Sequence, residues 1–148
     1  MNKLIATTLL AAIAAVVAVP AQARNTAVTV SLQSVLDMPE AKSKLDGSVA
    51  FYLVGAPTPK ILKKLGEDTA NAKTNAFNKT AEEACRWNAL SALIKLQEHA
   101  KRQGANAIVD LVSYDHHENF TSPTELQCSD GAFLAGIALK GTYANVGK

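Results

Sequence analysis

The chain has 148 residues, 48% of them hydrophobic and 19% charged, with a formal net charge of +2. That length fits one domain of ordinary size, and the apolar fraction is too high for a disordered chain. The near-neutral balance lacks the basic field of a nucleic-acid binder, so no nucleic-acid partner is expected.

The N-terminus reads as an export signal. Lys3 precedes an uncharged run from Leu4 to Val19, and Pro20 leads into the small-residue site Ala21-Gln22-Ala23. A basic start, an apolar stretch and an A-x-A site form a cleavable signal peptide. Residues 1–23 are therefore expected to be removed, leaving residues 24–148 as a single periplasmic domain that starts at Arg24. A lipoprotein would need a cysteine there, so no lipid anchor is expected. Nothing after Ala23 approaches the ~18 apolar residues of a membrane span. Cys85 and Cys128 are the two cysteines, and an even count in an oxidising space reads as a disulfide. The competing reading is a reactive thiol at Cys85 in the first turns of a helix.

Along the mature chain, Arg24 to Ala27 reads as a loose start and Val28 to Leu32 as a half-buried strand of period two. Ser34 caps a helix running to about Leu45, which Pro39 would kink or divide. Asp46-Gly47 is a turn, and Ser48 to Gly55 a buried strand. Lys60 to Leu65 fits a short helix, with Thr58 as cap and Pro59 in its first turn, or a strand, which the loop length favours. Glu67 to Lys79 is poor in apolar residues and reads as a polar loop.

The clearest element is a helix over Ala81–Gln103. Thr80 and Glu83 form a capping box, and Cys85, Ala89, Ala92, Leu93, Leu96 and Ala100 make one apolar stripe. Trp87, Leu90 and Ile94 widen it, and form a candidate protein-contact patch because aromatic anchors are enriched in interfaces. Gly104 terminates the helix. Ala107 to Tyr114 reads as a strand, with Ala107, Val109 and Leu111 on one face and Ile108, Val112 and Tyr114 on the other. His116 to Gly131 reads as a long polar loop and Ala132 to Tyr143 as the last strand. Gly136 and Gly141 there suggest a bulge or a close approach of another backbone. These readings describe an α+β domain: a small mixed or antiparallel sheet of four to five strands, packed on the long capped helix, plus a short N-terminal helix.

Asp115-His116-His117-Glu118 is the one cluster of metal-ligand residue types, with His116, His117 and Glu118 as candidate ligands for a transition metal. Adjacent histidines at a strand end point to opposite sides, which favours a solvated junction. Asp110 is expected on the solvent face or in an ion pair. Gly131 to Gly136 has the glycine spacing of a phosphate loop, but Ile137-Ala138 stand where Lys and Ser/Thr are required. No nucleotide is expected, no nucleophile–base pair stands out, and no cofactor is implied.

Several stretches together carry a resemblance: Phe51-Tyr52-Leu53; Lys73 to Cys85; Leu90 to Leu93 followed by Gly104 to Val109 and Ser113-Tyr114; and Cys128, Gly131 and Ala135 to Gly141. The chain resembles small exported proteobacterial proteins that carry the label "excinuclease ATPase subunit". That label implies an ATP-driven DNA-repair enzyme, and this chain departs from it in lacking the phosphate-loop lysine, zinc-finger cysteines and a basic surface. More distantly it is similar to the sensor domain of the Rcs envelope-stress lipoprotein and to YbjQ-like heavy-metal-binding domains, which implies a small sheet with a packed helix. The Rcs sensor's lipid anchor and second disulfide have no counterpart here. The functional expectation is a non-catalytic periplasmic binding or envelope-stress-sensing module with a protein or envelope partner. A periplasmic transition-metal-binding protein is the alternative.

Overall fold

The computed structural model describes residues 25–148; the export signal and the start at Arg24 lie outside the described residues. The order is β1 (Asn25–Ser31), α1 (Leu32–Leu36), α2 (Pro39–Lys44), β2 (Ala50–Leu53), β3 (Ile61–Asn75), α3 (Ala81–Arg102), β4 (Ala107–Asp115), β5 (Glu118–Phe120), β6 (Glu125–Gly131) and β7 (Leu134–Val146). It is an α+β domain, with seven strands in one curled sheet and three helices among the described residues.

Helix α3 forms as its sequence dictates. The Thr80 side chain accepts from the Glu83 N–H at 3.1 Å, and Glu82 and Glu83 sit at the positive end of the helix dipole. At the other end Gly104 takes the left-handed conformation, φ +71°, that only glycine adopts freely. Cys85, Ala89, Ala92, Leu93, Leu96 and Ala100 are all buried against the sheet. Three alanines on that stripe let the helix lie close to the strands. Cys85 and Cys128 are bonded, with Cα atoms 5.6 Å apart, so the first turns of α3 are tied to the middle of β6.

The central strand is β7. Along one edge it pairs with β3 from Asn75↔Leu134 to Ile61↔Val146. Its other edge is shared: β6 takes Ala135 and Gly136, and β4 takes Leu139 to Ala144. β1 then adds to β6, β2 adds to β4 in parallel, and β5 folds back on β4. Where β4 and β6 diverge, the Ser113 hydroxyl accepts from the Gln127 N–H at 2.8 Å. At Gly141 a Cβ would meet Ile108 Cγ2 at 2.6 Å, so the nearest approach is by a side chain of the neighbouring strand rather than by the backbone expected there.

The sequence reading needs several corrections. Residues 67–75, expected as a polar loop, complete the 15-residue strand β3. They alternate after all, but the inward residues are Ala70 and Ala72, small enough to lie under α3 and too weakly apolar to announce a strand. Most of the expected loop from His116 to Gly131 is instead β5 and β6; β6 buries only Leu126 and Cys128. Pairing begins at Asn25 rather than Val28. The first helix is capped by Ser31, whose side chain accepts from Ser34 N–H at 3.0 Å. Pro39 divides the helical stretch by opening α2, where its missing N–H costs nothing. Lys60–Leu65 resolves as strand from Ile61 onward. In β4 the expected faces hold only to Val109. Asp110 has φ +53° within a bulge between Val109 and Val112. Leu111 therefore joins Ile108 in the main core, while Ala107 and Val109 pack with Ala144 elsewhere.

Candidate functional site

Helix α3 covers one face of the sheet, and the other face holds a groove of about 620 Å³. Two rows of cross-strand neighbours line it, and a third borders it through Thr69. Gly136 of β7 lies between Lys73 of β3 and Ser129 of β6. Ala138 lies beside Asn71, with Tyr114 of β4 next in register after Ser113↔Leu139. Lys140 lies between Thr69 and Val112. Side chains at such positions share a face, so the glycine and alanine in the central strand leave a trough between larger neighbours. Leu134 and Asn25 border it, and the tip of the β4–β5 hairpin adds Asp115, His116 and His117 to its lining.

That tip is the histidine pair. His116 and His117 have φ +49° and +65°, the positive values that both central residues of a type I′ hairpin turn require. The turn sends the imidazoles to different partners. His116 Nε2 lies 3.5 Å from Asp115 Oδ2 and 3.3 Å from Asn25 Nδ2. His117 Nδ1 lies 3.0 Å from the Tyr114 hydroxyl, and its ring meets the Tyr114 ring edge-on at 5.8 Å. Glu118 starts β5 and is exposed. Among the described residues no group of three or more His, Cys, Asp or Glu is placed to hold a metal ion. His116 and His117 face different partners, so the candidate ligands His116, His117 and Glu118 are not gathered into such a group. The Asp115 carboxylate accepts the Ser129 hydroxyl proton, and His116 Nε2 stands near the same oxygen.

Trp87, Leu90 and Ile94, the candidate contact patch, do not form an open face. Leu90 is only 2% exposed and belongs to the core; Trp87 and Ile94 pack half-buried against it. Trp87 lines a separate hollow of about 380 Å³ with Met38, Pro39, Glu40 and Arg86. Asp110 is exposed and pairs with Lys64 at 3.1 Å, as expected. Cys85 has no free thiol, which removes the reactive-cysteine reading.

A second polar cluster lies on the helix side. His99 Nδ1 donates to Asp68 Oδ2 at 2.7 Å, and the Tyr143 hydroxyl donates to the same oxygen. Burial works to raise the Asp68 pKa, but the hydrogen bonds from Tyr143, His99 and the Thr69 N–H outweigh it and hold the carboxyl below its ordinary value. Burial, with the Asp68 carboxylate beside it, pushes the Tyr143 phenol above its own. The three groups tie the end of α3 to β3 and β7.

The sequence reading missed Lys73, Asn71 and Ala138 as groove residues. The one signal was Gly136 in a strand, because a glycine with negative φ inside a sheet marks a missing side chain rather than a turn. No protein-family model matches the chain, and no curated protein is significantly similar to it.

Proposed function

We propose that this chain is a periplasmic binding or sensing domain that takes its ligand on the sheet face α3 leaves open. The observation that carries this reading is the groove: about 620 Å³ is within the range of roughly 300–1,000 Å³ of small-ligand sites. It has an apolar floor, and polar groups stand at its rim. The buried Cys85–Cys128 bond supports residence in an oxidising compartment. Among the described residues no helix is long and apolar enough to cross a membrane.

A photoreactive amino acid at Thr69, exposed on the groove wall, tests this in cells, with the same group at Lys42 on α2 as control. Mass spectrometry of the recovered protein is expected to show an adduct at Thr69 and none at Lys42, whether the ligand is a small molecule or a protein segment. Equal labelling, or no Thr69 adduct with and without envelope stress, overturns the reading.

A further inference from the structure

We propose that the groove takes a small amphiphilic anion: a flat apolar ring system bearing one carboxylate or sulfonate, with the ring on the Gly136–Ala138 floor and the acid at Lys73. This rests on the binding reading above and names the ligand class.

Charge decides the class. Lys73 and Lys140 stand in register with groove residues of the neighbouring strand, and they differ. Lys140 is held by Glu67 at 3.3 Å, with its ammonium 5.3 Å from the centre of the Tyr114 ring. Lys73 makes no ion pair among the described residues. Its Cγ lies beside Gly136, 3.5 Å from where a Cβ would stand there, and the residue is exposed in the groove lining. The one carboxylate in the lining, Asp115, already accepts from Ser129 and faces His116. The groove thus offers one positive charge without an ion-pair partner among the described residues and a carboxylate that is already hydrogen-bonded within the protein. A cation would face Lys73 unpaired. A neutral apolar molecule would fill the floor and leave the ammonium unused.

Shape decides the rest. The floor is flat because Gly136 and Ala138 sit on a strand, and its side wall is the Tyr114 ring braced edge-on by His117. Leu134, 60% exposed, borders the open end. A planar bicyclic body makes the most dispersion contact with such a surface, and an aromatic wall favours an aromatic guest.

Two probes of nearly the same skeleton separate the contributions: anionic 8-anilinonaphthalene-1-sulfonate and neutral N-phenyl-1-naphthylamine, each titrated by fluorescence into the folded protein. The sulfonate is expected to bind one site, and amide shifts in NMR should centre on Thr69, Tyr114, Gly136 and Ala138. Lys73→Gln should weaken the sulfonate at least tenfold and leave the neutral probe within twofold. Lys42→Gln, the same charge change on α2, should alter neither. Ala138→Trp should fill the trough and weaken both; the wild-type shifts locate the site even where that variant folds poorly. Unchanged sulfonate affinity in Lys73→Gln overturns the anion assignment, and shifts centred outside the groove overturn the site. If the Thr69 adduct forms while Lys73→Gln has no effect, the ligand class falls and the binding reading stands. If neither adduct nor groove shifts are found, both fall.

Discussion

Asp68 shows what one side chain contributes when three elements converge on it. Its carboxylate accepts from Tyr143 on β7 and from His99 on α3, and its pKa is lower than ordinary. A group lowered on folding contributes stability above its unfolded pKa, near 3.9, and loses it as pH falls through the folded value. Tyr143 works in the opposite sense: raised on folding, it contributes fully below about pH 10 and loses that as pH climbs through the raised value. Asp68→Asn is therefore expected to lower stability by on the order of 1 kcal/mol at pH 7, a figure already reduced for solvent screening. The gap to wild type should close below about pH 4. Urea midpoints measured from pH 2 to 8 check this, and a gap independent of pH would refute it. His99 lies on α3, but its partner is 31 residues away in a stretch that reads as loop, so the cluster was not legible.

At the scale of elements, the β4–β5 hairpin carries two histidines in the left-handed region, where a side chain costs roughly 1–2 kcal/mol. His116→Asn with His117→Gly supplies the pair such a turn prefers, and should raise stability by about 1 kcal/mol in urea denaturation. A loss would mean that the imidazole contacts to Asn25 and Tyr114 outweigh the backbone strain. The absence of Asn-Gly is also why the turn was hidden in the sequence. The disulfide between α3 and β6 was legible, because two cysteines in a chain read as exported leave one intramolecular pairing. Cys128→Ser is expected to cost roughly 2–5 kcal/mol. Thiol titration of the denatured, unreduced protein should find no free thiol, and two per chain would refute the bond.

Across the whole molecule, the longest strand is also an edge. Among the described residues β3 pairs with β7 only, and a free edge of that length invites pairing with another chain. The molecule blunts it. Bulges interrupt the register near Leu62 and Leu65, Lys63 and Lys64 are exposed, and Lys95 reaches from α3 to donate to the Asn71 carbonyl at 2.6 Å. Lys95→Ala removes that cap. Sedimentation velocity is expected to show concentration-dependent self-association in the variant and less in wild type; identical behaviour would show that the bulges and charges suffice.

By itself the sequence determined α3, from its Thr80 cap to Gly104, because capping and helical period are local, and the pairing of its two cysteines, because two allow one intramolecular bond. It determined the α+β class for the same reason: one strong helical period stood among short runs of period two. The tertiary structure alone decided residues 67–75 of β3 and all of β6, whose buried apolar residues are two alanines and a single Leu–Cys pair and which become strands because β7 and β1 supply their hydrogen-bond partners. It decided the slip at Asp110, where one bulged residue turns Leu111 into the core. It also decided the groove, since Lys73, Tyr114 and Ala138 lie on three different strands and meet only through the register of the sheet.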